Sequence, residues 1–189
     1  MTRPNLILAS SSPRRLALLG DIGLTPDKII AADIDETPRP RELPRKLAER
    51  LAREKLMAVV PQYPGAVVLA ADTVVACGRR VLPKAETPEQ VRACLRLLSG
   101  RRHHVYTGVA VCAPQGKILE RLADSIVTFR QMSAEDIEAY VTSGEGIGKA
   151  GGYAIQGRAA AYIRFIAGSY SNIVGLPLFE VAQMLRGLL

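Results

Sequence analysis

The chain has 189 residues, 48 % of them apolar, and carries a formal net charge of +7 with a sequence pI of about 9.6. That is enough for one sizeable core, and the basic balance favours anionic ligands such as nucleotides, nucleic acid or acidic lipid without choosing among them. An aromatic content of 5 % with no Trp argues against a stacking surface for single-stranded nucleic acid, while the lack of a leader pattern or a membrane-length apolar run reads as a cytoplasmic chain with no membrane partner.

Leu6-Ile7-Leu8-Ala9 reads as a short buried strand, ended by three serines. Pro13 suits the first position of a helix, where its missing N–H costs nothing, and Ser12 is a good N-cap, so the stretch predicts strand, tight polar loop and helix start, with the helix running to Gly20 or Gly23. A helix start offers unpaired N–H groups and a partial positive charge. With the serine hydroxyls and the guanidinium groups of Arg14 and Arg15 it becomes an anion pocket suited to phosphate; the plainer alternative is a capped surface helix with solvated arginines. Neither a Walker lysine nor G-x-G-x-x-G is present.

Residues 29–32 form a second short apolar run, read as a strand, and lead into the acids Asp33, Asp35 and Glu36. Prolines at 38, 40 and 44 mark an ordered loop or hinge. From 45 to 60, Leu47, Leu51, Leu56 and Val59 fall near helical spacing, with Lys55 late in that helix. Residues 66–71 are wholly apolar, the mark of a strand buried on both faces, and run straight into Asp72-Thr73. Ligands of open α/β sheets lie beyond strand carboxyl ends, and a carboxylate that interrupts a buried run is costly unless paired or bound to a cation; the alternative for Asp72 is a turn or helix cap. Gly78-Arg79-Arg80 is a turn before Lys84, which alone reads as a solvated surface lysine.

Thr87-Pro88-Glu89 opens a helix carrying Val91, Cys94, Leu95 and Leu98. Residues 104–112 and 124–130 read as strands, with Gly116-Lys117 as a hairpin turn, and Ser133 starts a helix with Ile137, Tyr140 and Val141 as its stripe. The cysteines at 77, 94 and 112 have no metal-site spacing, and His103 and His104, adjacent on a strand, face opposite ways. Glycines at 144, 146, 148, 151, 152 and 157, with Lys149 and Gln156 among them, suggest backbone closely approaching a ligand or else a mobile loop. A strand over 162–166, a polar loop over 168–172 and a C-terminal helix burying Leu178, Val181, Ala182 and Leu185 complete the chain, read as one unit over 1–189.

Basic groups for oxyanions and a few carboxylates for a divalent ion are the ingredients of phosphoryl or nucleotidyl chemistry. The segments ASSSPRRLALL, REKLMAV, AADTVVAC, MSAEDIEAYVTSGE, GKAGGYAIQG and GSYSNIVGLPLFE, in this order, resemble the Maf family of nucleoside triphosphate pyrophosphatases over nearly the whole chain. The resemblance implies cleavage between the α and β phosphates, giving a monophosphate and pyrophosphate with a divalent cation (Mg²⁺ or Mn²⁺), as house-cleaning of the nucleotide pool. The Y-x-I-Q-G form resembles the branch acting on dTTP and UTP, not the one acting on 7-methyl-GTP. Carried over by motif, Asp72 matches the catalytic proton acceptor; Arg14, Thr73 and Gln156 match specificity positions; Ser10, Arg15, Glu36, Lys55 and Lys84 match polar positions in the same pocket. In that pocket Ser10, Arg14, Arg15, Lys55 and Lys84 would take phosphate, and Glu36 and Asp72 the metal. The implied fold is mixed α/β of the inosine-triphosphatase type, with an elongated, curved sheet flanked by helices in two lobes, and often a homodimer.

Asp72 has two open roles, taking the proton of the attacking water or holding a cation that acidifies it. Gln156 can both donate and accept, matching the N3–H and O4 edge of uracil or thymine. Two positions depart from the family pattern: Ala85 follows Lys84 where a proline is common, and Gly148 stands where an aspartate is frequent. Rival readings are a nucleotide- or nucleic-acid-binding regulator of cell division without catalysis, and a nucleotidyltransferase with the same ingredients. Scarce aromatics and the lack of a basic helical stripe argue against nucleic acid as partner.

Overall fold

In the computed structural model, which describes residues 3–189, β1 (Leu6–Ala9) is buried along its length and is followed by α1 (Pro13–Asp21). Ser12 is the N-cap as expected, but its hydroxyl makes no cap bond. The strand read over 29–32 shrinks to β2 (Lys28–Ile29), exposed at the sheet edge, because the ladder with β1 pairs only Lys28 and Ile29 and no bond to β1 follows the Ile30 N–H. The proline loop is ordered: Arg50 donates to Glu42 at 2.7 Å, to Glu54 at 2.8 Å and to the Thr37 carbonyl at 3.1 Å. Hydrogen bonding to Arg50 holds the Glu42 carboxyl down at about 2. Arg50 belongs to α2 (Pro44–Val59), which buries Leu47, Leu51, Leu56 and Val59 as the spacing predicts.

The apolar run becomes β3 (Val67–Cys77), longer than expected, and Asp72 lies inside this strand, not beyond its end. Period-two alternation sorts its side chains. Val68, Ala70 and Val74 pack toward α2, while Val67, Leu69, Ala71 and Val75 join the larger core on the other face. Asp72 therefore belongs to the α2 row and Thr73 to the opposite row. After β4 (Arg80–Leu82) and β5 (Lys84–Ala85) comes α3 (Pro88–Leu98), with the Gln90 N–H donating to the Thr87 hydroxyl as its cap. Strands β6 (Arg102–Cys112) and β7 (Ile118–Phe129) form a long hairpin; the separate strand expected over 124–130 is the second half of β7. Helix α4 (Ala134–Thr142) has the Ser133–Asp136 capping box, and β8 (Lys149–Ala150) pairs with β5.

Strand β9 (Ile163–Ala167) precedes α5 (Tyr170–Val174), where a polar loop was expected: Ser169 caps a short helix, accepting from the Asn172 N–H. Helix α6 (Leu178–Leu185) buries Val181, Met184 and Leu185; Ala182 points outward and Leu178 is half-buried, so Met184 completes the apolar face assigned to Ala182. The sheet order is β2-β1-β3-β6-β7-β9, with β4 on β3. Strand β1 runs parallel to both neighbours and the other pairings are antiparallel, so a mixed sheet stands between α2 on one face and the larger core on the other.

His103 and His104 do face opposite ways: His103 is fully buried, stacked on Phe129 and bonded through Nε2 to the Tyr153 hydroxyl at 2.8 Å. Burial, with a smaller push from His104, drops the His103 pKa to about 4. The unfolded chain takes up this proton near pH 6.5, the native state only near 4, so stability is full above 6.5 and falls between these values, by on the order of 3 kcal/mol at pH 4. Urea midpoints at pH 7 and 4.5 check this; His103→Gln should show the smaller drop.

Candidate active site

The site lies at a gap in the sheet. β1 pairs with β3 as far as Ala70, and β4 pairs with it only from Val75, while β6 occupies the other edge throughout. No described strand covers residues 71–74 on the open side. Asp72 and Thr73 face opposite ways from this bare edge, and the cleft beside it reaches both. The carboxyl end of β1 opens into the same place.

Ser10, Arg14, Arg15, Glu36, Lys55, Asp72, Thr73 and Lys84, separated by up to 74 positions, all line this cleft with Ser11, Ser12 and Gly175. The Lys55 ammonium, from α2, lies 2.5 Å from Asp72 Oδ1 and 2.6 Å from Glu36 Oε1. Asp72 Oδ2 accepts no hydrogen bond from the described residues. Lys84 reaches the other oxygen of Glu36 at 3.2 Å. Burial alone would push the Glu36 carboxyl up, but the Lys55 hydrogen bond and charge, with Lys84, hold it below the usual value. Arg15 is buried and fully engaged: Nε–H donates to the Gly175 carbonyl at 2.8 Å, one terminal nitrogen to Ser10 Oγ at 3.1 Å and the other to Thr73 Oγ1 at 3.3 Å. Burial lowers its pKa and the Asp72 charge opposes this, yet an arginine stays protonated. Arg14 makes no such bonds to the described residues and is the cation free to meet a ligand; burial lowers its pKa too.

A smaller compartment adjoins, bounded by Tyr153, Ile155, Gln156, Lys149 and Val75, and Arg14 and Thr73 border both spaces. The residues matched to site positions by motif, and Lys149 with them, each line one or both of these adjoining hollows. Burial, then repulsion from Arg14, lowers the Lys149 pKa. Cations and serines line one end of the arrangement, and the Gln156 amide stands beside Tyr153 and Ile155 at the other.

Several glycines of the glycine-rich stretch are required by packing, while the stretch also lines the smaller compartment through Lys149, Ala150 and Gln156. A Cβ at Gly151 would come 2.8 Å from Val75 Cγ1, one at Gly152 3.0 Å from Cys94 Cβ, and one at Gly157 2.0 Å from the Glu145 carboxylate. Residues the sequence reading missed are Thr107 and Gly108, which support the site from behind, and Gly175, which lines the cleft and accepts from Arg15 through its carbonyl. One signal was legible: a glycine inside a strand marks close backbone approach.

The two hollows set the geometry against which relatives can be compared. The family model described as "Maf-like protein" matches residues 5–188. The chain belongs to the Maf family. A relative named dTTP/UTP pyrophosphatase from Gluconobacter oxydans is 59 % identical over 98 % of this chain and 87 % of its own. One of the same name from Rhodospirillum rubrum is 57 % identical over 96 % of this chain and 87 % of its own. The solved structure of a HAM1 protein from Coxiella burnetii shares the fold, with a TM-score of 0.51 at 17 % identity over 97 % of this chain and 98 % of that one.

Within this Maf chain the two departures have local explanations. Ala85 is fully buried and its carbonyl accepts the Gly148 N–H at 2.7 Å, so the β5–β8 pair, not a proline ring, fixes the backbone that aims Lys84. Gly148 has φ +70° with open space where a side chain would stand, so glycine meets the turn's left-handed conformation and Lys149 bonds instead to the Ile147 carbonyl at 3.4 Å.

Proposed function

We propose that this cleft hydrolyses the α–β phosphoanhydride of dTTP and UTP, releasing the monophosphate and pyrophosphate. The observation that carries it is the meeting of Lys55, Asp72 and Glu36 at the bare edge of β3, beside a compartment that holds Gln156. Arg14, Arg15, Lys55 and Lys84 offset the triphosphate charge so that water can approach phosphorus. Asp72 takes the water's proton in this reading, supported by an Oδ2 that accepts no hydrogen bond from the described residues. The Gln156 amide accepts from N3–H and donates to O4 of uracil or thymine. The names of the relatives support the same substrates.

A divalent ion fits this reading. Glu36 and Asp72 already converge on one ammonium, and no group of three or more metal-ligating side chains occurs among the described residues. Two carboxylates plus substrate phosphate oxygens is a donor set that suits Mg²⁺ or Mn²⁺. When bound, such an ion would add charge stabilisation at the phosphates and acidify water.

The test is pyrophosphate release from dTTP, UTP, CTP, dCTP, ATP, GTP and 7-methyl-GTP, with and without Mg²⁺ or Mn²⁺. Release confined to dTTP and UTP and dependent on metal is the expected result; activity on 7-methyl-GTP overturns the substrate assignment, and binding without release overturns catalysis. Gln156→Glu should cut kcat/KM for UTP and dTTP, and weaken their equilibrium binding, by about tenfold to a hundredfold, the size of one or two net hydrogen bonds, and leave the binding of the other nucleotides unchanged. An equal loss for all would remove Gln156 as the base reader.

A further inference from the structure

Thr107 lies on β6 directly opposite Thr73, is fully buried, and lines neither hollow. Its hydroxyl is 3.0 Å from Thr73 Oγ1 and 3.3 Å from the backbone carbonyl of Asn172. A threonine hydroxyl has one proton to give and two lone pairs to receive. Sealed from water, Thr107 gives its proton either to the Asn172 carbonyl or to Thr73. If to Thr73, the buried Asn172 carbonyl loses that donor, and the Thr73 proton is left to the cleft or to the Gly175 carbonyl at 3.4 Å, which the Arg15 Nε–H shares at 2.8 Å. If to Asn172, every group is served: Arg15 donates to Thr73, Thr73 donates to Thr107, and Thr107 donates to the Asn172 carbonyl. The cost of a buried unmet carbonyl selects the second arrangement.

The consequence reaches the ligand. With its proton turned inward and one lone pair held by Arg15, the Thr73 hydroxyl shows the nucleotide one remaining lone pair. We infer that Thr107 is a positioning residue that fixes Thr73 as a hydrogen-bond acceptor, so that the site selects nucleotides presenting a neutral donor there. This rests on the proposed function, and that function narrows the donor. UTP and dTTP share only the imide N3–H and the 3′-hydroxyl as neutral donors in their base and sugar, since the 2′-hydroxyl is missing from dTTP; with N3–H taken by Gln156 the 3′-hydroxyl is the donor expected at Thr73, and N3–H replaces it only where Gln156 does not read the base. Thr73 borders both the phosphate cleft and the Gln156 compartment, within range of either group's side of the nucleotide.

The experiment compares wild type, Thr107→Val, Thr107→Ser and Thr73→Val. For each, UTP is set against CTP, which replaces N3–H by a bare nitrogen, and against 3′-deoxy-UTP, which lacks the hydroxyl. Each ratio is read both as kcat/KM and as an equilibrium Kd. Wild type should prefer UTP in at least one pair. Thr107→Val leaves only the long bond to Gly175 to hold the Thr73 proton, so a ligand acceptor can claim it, and that preference should narrow by about tenfold, the size of one net hydrogen bond. The pair that narrows identifies the donor. Thr107→Ser should restore the preference, and Thr73→Val, at a half-buried position, should narrow it even if Thr107→Val folds poorly. Uniform loss on all three nucleotides, unchanged ratios, failure of the serine variant to rescue, or no wild-type preference in either pair overturns the inference. Binding of UTP without turnover would overturn the proposed catalysis while leaving the Kd ratios to decide this point, and failure of UTP to bind would overturn both.

Discussion

Asp72→Asn is expected to lower kcat for UTP by about a thousandfold, within the ~10²–10⁴ range of a lost acid–base group, and to leave nucleotide binding equal or tighter. Asparagine keeps the shape of the side chain at a position only 6 % exposed, so packing against α2 is preserved. It removes one negative charge from a hollow built for an anion, and Lys55 keeps its second partner, Glu36, at 2.6 Å. Turnover suffers because the amide can neither take a proton from water nor serve as a charged ligand for a cation. Pyrophosphate release at saturating UTP, with equilibrium dialysis of UTP, reads the two effects separately. A kcat within tenfold of wild type would remove Asp72 from the chemistry. Titration with Mn²⁺ without nucleotide divides the two roles left open by the sequence: weakened Mn²⁺ binding in the variant assigns Asp72 to the ion, unchanged binding assigns it to the proton.

Much of this was legible from local rules. The strand–serine–proline start of β1 and α1, the leucine spacing of α2, the cap and stripe of α3 and the capping box of α4 each follow from a short stretch of chain, and each forms near its expected bounds. The readings that changed depended on partners distant in sequence. Residues 29–32 look like a strand, but the ladder with β1 stops at Ile29 and its last backbone bond comes from the Ile30 N–H. Asp72 looks like the end of an apolar run because a carboxylate interrupts it, yet pairing with β6 on one side and Lys55 above it carries the strand through. Among the glycines of 144–157, those at 146, 151 and 152 make room for Val91, Val75 and Cys94, which lie on other elements and could not be read from the stretch itself. For the site, residue types and motif order named the participants. Spacing could not show that they border two hollows, or that Thr107 and Gly108 stand behind them.

Gly108→Ala is expected to be among the most damaging small substitutions outside the cleft lining, costing about 2–4 kcal/mol of stability and a large share of activity. Gly108 is the cross-strand partner of Asp72 on the face that carries α2. A Cβ there would stand 2.2 Å from the Ala48 carbonyl oxygen and 2.7 Å from its carbon, both backbone atoms of α2. No rotamer can relieve that contact, so the helix must move off the sheet. Leu47, Leu51 and Leu56 would lose packing as it moves, and so would the Lys55–Asp72 contact, because Lys55 rides on the same helix. Absence of a side chain at Gly108 is thus what lets α2 lie close enough to deliver its ammonium to Asp72. Gly20→Ala is the matched control: Gly20 lies within α1 with nothing within 4 Å of a Cβ, so alanine should stabilise by roughly 0.5–1 kcal/mol. Thermal midpoints and pyrophosphate release for both variants decide the matter. If Gly108→Ala keeps the wild-type midpoint and rate, the close approach of α2 to β6 does not position Lys55; a fall in both, with Gly20→Ala unharmed, ties the geometry of the cleft to one missing methyl group behind it.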